Sequence, residues 1–357
     1  MKNCILIFLL LFVNSGFAQT YKESAEVVNK EDIYKSAKQE FEVYEELHGN
    51  FIETPNAKIH YLTWGKPSNM PLIWSHGSFS NSYELLNVAD DLADAGYYVI
   101  AIDYYGHGQS SLPEKEVSLY HIADDIKYIM DHLEIDKSII GGWSRGGYIS
   151  TAFYDAYPES TLALILEDGG SVATNFNYHR LNQDSLDGLV NSFGVENFVE
   201  ADTAFKSEKE AFFSIYNFNE EETQFQLLAW IREVEKGSWA ANPELFDLFH
   251  HCNTEQILDA ILRPTKVPLF AASMSILEPR IIFRNLDIPM LILDPISRND
   301  LFPFEQENKK LQERFPDLID HKIYKNTGHN IHEEHPKQFV HDLAEFLKWV
   351  KEHPKNE

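Results

Sequence analysis

The chain has 357 residues, 44% of them hydrophobic, which is enough for one large domain or for a domain carrying a sizeable insertion. Its 30 Lys and Arg stand against 56 Asp and Glu, a net charge of −26, and so strong a negative field disfavours nucleic acid and polyanionic substrates. There are two cysteines, and Cys4 lies in an N-terminal leader; Cys252 then has no intramolecular partner, which excludes a disulfide framework and makes it filler in or near the core.

Lys2 precedes an apolar run from Ile5 to Val13, and Gly16-Phe17-Ala18 supplies small residues around a cleavage point. Residues 1–18 therefore read as a secretory signal peptide cut after Ala18, because the run is too short to span a bilayer comfortably. Export to a periplasm or to the outside of the cell is the expectation. Cys4 precedes the apolar run, which argues against a lipid-bearing N-terminal cysteine. No later segment is long and apolar enough for a stable membrane span. Residues 19–50 form a polar lead-in, in which Ile33, Ala37, Phe41 and Tyr44 recur near helical spacing and predict a short amphipathic helix.

From Phe51 the pattern turns to strands, FIET and then AKIHYLTWG. Further strands are expected at Pro71–Ser75, Tyr97–Asp103, Lys137–Gly141, Leu162–Glu167, Met290–Leu293 and Asp320–Tyr324. Most are short apolar runs without alternation, the signature of parallel strands buried on both faces. Helices are expected at Tyr83–Ala95, Ser118–Leu133, Arg145–Tyr157, Phe304–Phe315 and Pro336–Lys351, the last with Phe339, Leu343, Phe346, Leu347 and Val350 on one face. This alternation predicts an α/β fold with a mostly parallel sheet, helices on both faces and an inserted helical cap. The core takes residues 51–170 and 286–357. The insertion, 171–285, is polar and aromatic, helix-like in patches, with no convincing strand.

The segment Ile139-Ile140-Gly141-Gly142-Trp143-Ser144-Arg145-Gly146-Gly147 carries the strongest chemical signal. A buried strand enters G-x-S-x-G and a helix leaves it. So tight a turn strains the serine backbone and requires small neighbours, here Gly142 and Gly146, while it lifts the Ser144 hydroxyl out at the carboxyl end of the sheet. A serine hydroxyl needs a base, and the base needs an orienting carboxylate. His329, after the last strand and a glycine, is the candidate base, with His332 as its rival. Spacing His329, His332 and His335 by three also suggests a metal site, but a loop histidine and two at a helix start share no face, so no metal is expected. Asp300, beyond the strand MLIL, is the candidate carboxylate; Asp168 and Asp294 are the alternatives. Ser144, Asp300, His329 follow the chain order of this architecture.

With these motifs in view, roughly residues 51–351 resemble the α/β-hydrolase superfamily in its capped, esterase-like branch. Ser75-His76-Gly77-Ser78 resembles the family's H-G-x turn, Asp103-Tyr104-Tyr105-Gly106-His107-Gly108-Gln109-Ser110 its D-x-x-G-x-G-x-S loop, and GHNIHEEHP its histidine tail. The resemblance implies an oxyanion hole from the backbone N–H groups of Ser78 and Arg145, structural roles for His76, Gly77 and His107, and no cofactor. Two features depart from the family. Arg145 replaces a commonly apolar or amide residue, and its side chain is expected either to pair with an acid of the scaffold or to meet a substrate carboxylate. The acid loop, LDPISRND, lacks the usual glycine after its strand. The expected function is a secreted serine hydrolase acting on carboxylic esters of a small molecule, with an apolar or aromatic part suggested by the aromatic cap. A proline-type aminopeptidase, lactonase or C–C bond hydrolase would use the same triad, and a non-catalytic binding protein on this fold is the alternative of another class. Epoxide hydrolases and dehalogenases of the family carry Asp where this chain has Ser144.

Overall fold

The computed structural model describes residues 29–176, 182, 184–185, 205–220, 223–241, 264–297 and 303–352. The expected leader, Cys252 and Asp300 lie outside the described residues. Eight strands form one sheet: β1 (Gly49–Glu53), β2 (Lys58–Trp64), β3 (Met70–Ser75), β4 (Tyr97–Ile102), β5 (Ser138–Trp143), β6 (Thr161–Glu167), β9 (Met290–Ile296) and β10 (Ile319–Lys325). Their spatial order is β1-β2-β4-β3-β5-β6-β9-β10. The β1–β2 and β2–β4 pairs are antiparallel and every other pair is parallel.

Each parallel strand is an apolar run because both its faces are covered. On β3, Ile73 enters one core cluster while Leu72 and Trp74 enter the other; Ile100 and Val99 divide in the same way on β4. The first cluster lies under α3 (Leu119–His132) and α4 (Arg145–Ala156). The second is closed by α1 (Lys30–His48), α2 (Ala89–Asp94) and the C-terminal α7 (Pro336–Glu352), which contributes Phe339, Leu343, Phe346, Leu347 and Val350. The expected helix Tyr83–Ala95 is divided: a 3-10 turn, Ser82–Leu85, is capped by the Asn81 side chain, and α2 begins only at Ala89.

Chain order reverses between β3 and β5. From β3 the chain moves to β4 on one side, and later crosses to β5 on the other. A crevice opens at the carboxyl ends of such strands, so the H-G-S turn and the serine elbow leave the sheet side by side.

Within 171–285, α5 (Glu208–Ile215) is followed by an antiparallel pair, β7 (Ile231–Glu235) and β8 (Ser238–Ala241), so the expectation of no strand there is corrected. Both strands are short and mostly outside the core, so neither carries the apolar run that marks the others. Residues 264–286 return to the core: α6 (Leu269–Ile276) and the turns after it place Phe270, Leu277, Phe283 and Leu286 in the first cluster. The lead-in helix joins these parts. Tyr44 accepts a hydrogen bond from Trp64 Nε1 at 2.8 Å, and Glu45 binds His60 and the Tyr83 hydroxyl. Tyr34 and Lys38 both reach Glu208 of α5. Among the described residues, no helix is long and apolar enough to cross a membrane.

Candidate active site

Ser144 leaves β5 with φ 54° and ψ −116°, a backbone conformation that costs an L-residue energy. Two constraints hold it there. Ser144 N–H donates to Glu167 O on β6 at 2.8 Å, and Gly147 N–H donates to Ser144 O at 3.0 Å. The flanking glycines make the turn possible: a Cβ on Gly146 would stand 1.7 Å from Ser75 O, and one on Gly142 would stand 2.3 Å from the carbonyl carbon of Gly146. The hydroxyl-bearing residue itself is partly exposed, while its neighbours in the elbow are buried.

His329 follows β10. Its carbonyl accepts from Trp143 Nε1 at 2.8 Å, and the two rings lie 5.1 Å apart, so the histidine loop is fastened to the residue preceding Ser144. His329 Nδ1 meets Asp168 Oδ2 at 2.5 Å. A carboxylate at Nδ1 fixes the proton there and turns Nε2 into the basic nitrogen. The acid on the histidine is thus Asp168, not the expected Asp300, which lies outside the described residues. The physical reason is lateral: Asp168 directly follows β6, the strand beside β5, and its own N–H donates to Leu293 O on β9. A φ of 44° turns Asp168 out of the strand direction. The other alternative, Asp294, is buried on β9, where it accepts from His321 Nε2 at 2.8 Å and from Asn308 Nδ2 at 2.9 Å.

The three tail histidines go to three different partners. His329 has Asp168. His332 Nδ1 lies 2.9 and 3.0 Å from the two Glu167 oxygens, and the His332 N–H donates to the same carboxylate at 3.0 Å. His335 Nε2 is 2.9 Å from the Thr327 hydroxyl. Burial alone would lower the His332 pKa, but Glu167 outweighs it and holds the imidazole at about 9, so it is a cation at neutral pH.

Ser78 lies in the turn that follows β3. Gly77 O accepts from the Tyr104 hydroxyl at 2.9 Å and from Ser80 N–H at 3.3 Å, and Phe79 is held at φ 61°. His76 stacks on Tyr104 with ring centroids 3.9 Å apart, and its Nδ1 is 2.7 Å from Gly77 O. Burial pushes His76 down to about 4 and His107 well below its ordinary value, so both are neutral props of the turn. Arg145 N–H is the first of α4, where a helix offers no carbonyl to its leading amides. Among the described residues its side chain is anchored on the turn after β3. Arg145 is buried; its Nε donates to Ser78 Oγ at 2.9 Å, and the guanidinium lies 5.1 Å from the Phe270 ring centre. The two residues whose amides were expected to line the oxyanion hole are therefore tied to each other.

Sequence reasoning weighed Asp168 but ranked it below Asp300. It passed over Glu167, although the pair Glu167-Asp168 followed by Gly169-Gly170 was legible at the end of an apolar run. Glu84, described below, carried no sequence signal.

Residues 70–208 match the family described as alpha/beta hydrolase fold. The soluble epoxide hydrolase of Corynebacterium sp. (strain C12) is 37% identical over 105 residues, 29% of this chain and 35% of that protein. The proline iminopeptidase of Lactobacillus helveticus (strain DPC 4571) is 31% identical over 123 residues, 33% of this chain and 42% of that protein. The chain thus spans only about a third to two fifths of the length of these curated relatives. Among solved structures, one from a study of carboxylesterases of Nitrososphaera gargenis superposes with a TM-score of 0.56 at 17% identity, covering 85% of this chain and 99% of that one, a likeness of fold. In sheet order, elbow and histidine loop, the chain has the α/β-hydrolase fold, that of the family its residues 70–208 match.

Proposed function

We propose that the protein is a serine hydrolase cleaving carboxylic esters of a small molecule through an acyl-enzyme. The observation that carries this reading is the Asp168–His329 bond at the sheet edge where Ser144 is raised on its strained turn. Ser144 Oγ attacks the ester carbonyl while His329 Nε2 takes its proton. Asp168 keeps the Nδ1 proton in place and stabilises the imidazolium. The oxyanion rests on the N–H groups of Ser78 and Arg145. His329 returns the proton to the leaving alcohol, and water repeats the path to release the acid. A serine at the elbow argues against the epoxide chemistry named for the Corynebacterium relative, since the epoxide hydrolases of the family carry Asp at that position.

The aromatic segment gives less support to an aromatic substrate than its composition suggested. Phe212, Phe213, Tyr216 and Phe218 pack on one another, and Phe212 also packs on Tyr34. The likeness to a proline iminopeptidase favours one second reading, release of an N-terminal proline by the same triad. Turnover of p-nitrophenyl esters beside prolyl p-nitroanilide separates the two; a preference for the anilide by orders of magnitude in kcat/KM overturns the ester reading. A fluorophosphonate probe should label Ser144 in wild type and fail in His329→Ala, and folded wild-type protein that takes no label overturns both. Export, with cleavage after Ala18, belongs to the same proposal, and N-terminal sequencing of protein from the producing cell tests it.

A further inference from the structure

We infer that Glu84 is a positioning residue for the oxyanion turn, its carboxyl group gripping the chain on both sides of Ser78. The inference rests on the serine-hydrolase reading above and extends it to residues outside the triad.

Glu84 projects from the 3-10 turn Ser82–Leu85 back toward the H-G-S turn. Its Oε1 accepts from Trp74 Nε1 at 2.7 Å and its Oε2 from Gly77 N–H at 3.2 Å; the Ser80 hydroxyl is a third donor. Gly77 and Ser80 bracket Ser78, so one carboxylate grips the turn on both sides of the amide that faces the oxyanion. The turn needs such a grip, because Phe79 inside it is held at φ 61°, which a non-glycine residue does not adopt unaided.

Three donors converge on Glu84, and only the ionised carboxylate accepts all of them well. A protonated carboxyl turns one oxygen into a donor and leaves one of the three without a good acceptor. Burial raises Glu84 to about 7; His332 and the hydrogen bonds from Trp74, Ser80 and Gly77 pull against that rise. Among the described residues, His332 acts on this cluster, with Glu167 and Glu333 acting on His332 in turn. His332 is itself buried, gripped through Nδ1 by Glu167. The arrangement also limits a cost: a lone carboxylate behind the hole would oppose the oxyanion, and the imidazolium offsets its field.

The test compares wild type, Glu84→Gln and His332→Gln in kcat and KM for a p-nitrophenyl ester between pH 5 and 9. In wild type the acid limb of kcat should include the deprotonation of Glu84. In E84Q, kcat should fall about tenfold, as expected when an oxyanion donor is loosened and not removed, with KM little changed and a shallower acid limb. In H332Q the limb should move up by about one pH unit, as loss of a nearby opposite charge requires. An E84Q enzyme with wild-type kcat, or with reduced kcat and an unchanged acid limb, overturns the inference. If E84Q does not fold, H332Q decides, and an unmoved limb is then the refuting result. Folded wild type that neither turns over the ester nor takes a fluorophosphonate label on Ser144 defeats the parent reading instead, and this inference with it.

Discussion

Replacing Asp168 with Asn tests the assignment of the acid most directly. Both side chains of the pair are nearly withdrawn from solvent, 9% exposed for His329 and 2% for Asp168, so water screens their interaction weakly. With Nδ1 and Oδ2 2.5 Å apart, the centres of the two charges lie roughly 4 Å from each other, and at an effective dielectric constant of about 20 their attraction is about 4 kcal/mol. That attraction exists only once His329 has taken the serine proton, so its loss falls on the transition state. An amide also no longer enforces the proton on Nδ1. Together these predict a drop in kcat of about 10³- to 10⁴-fold, or about 4 to 5.5 kcal/mol, with KM little changed. Steady-state hydrolysis of p-nitrophenyl butyrate measures it, with circular dichroism as the control for folding. Asp300→Asn should stay within about threefold of wild type, because the nitrogen it would orient already has a carboxylate. A folded Asp168→Asn enzyme of near-normal rate beside an inactive Asp300→Asn enzyme would refute the argument and restore the order read from sequence.

Other consequences concern stability. Ser144→Gly should abolish turnover yet raise the unfolding free energy by about 1 kcal/mol, because glycine adopts φ 54° without strain; urea melts that show a loss would contradict the strained elbow. Gly146→Ala should destabilise by about 3 kcal/mol or more, since its Cβ would meet the rigid carbonyl of Ser75; a wild-type melting temperature would show that the elbow can yield. His60 is buried between Asp103 and Glu45. Burial favours its neutral form, but hydrogen bonds to both acids outweigh that and hold it at about 9, above the ordinary 6.5. Its stabilisation is therefore complete below about pH 6.5 and is lost as pH rises through about 9. The melting temperature should fall between pH 7 and 10, and His60→Gln should start lower and fall less; an equal slope in both proteins would refute the assignment.

The sheet was legible because burial on both faces writes itself as unbroken apolar runs. β3, β4, β5, β6, β9 and β10 all begin within one residue of the expected positions. The elbow was legible because its backbone geometry forbids side chains at Gly142 and Gly146, and that demand is local. The acid was not legible, because the distance from Asp168 to His329 depends on which strands lie side by side, and chain order does not give that. The hairpin β7–β8 escaped for a different reason: it lies mostly outside the core and carries no apolar run. The lead-in was recognised as a helix, but not as the 19-residue element that binds Glu208 on one side and His60 on the other.

Placing the acid directly after β6 is more than an exchange of one carboxylate for another. Glu167 closes β6 and Asp168 follows it, turned out of the strand at φ 44°, so two carboxylates stand in succession. The histidine segment offers two imidazoles three residues apart, and the pairs form in parallel, Glu167 with His332 and Asp168 with His329. A shift of the segment by one residue would break both pairs together, along with the bond from Trp143 Nε1 to the His329 carbonyl. The β9 strand cannot offer this two-point hold among its described residues, since its acid, Asp294, is engaged by His321 and Asn308. The Glu167–His332 pair thus gives the histidine loop its register, and the register is what delivers His329 to Asp168 beside the elbow. On this argument His332→Ala should impair turnover by misplacing His329, although His332 itself donates no proton to the reaction. A His332→Ala enzyme with normal kcat would show that Asp168 and Trp143 suffice to set the register.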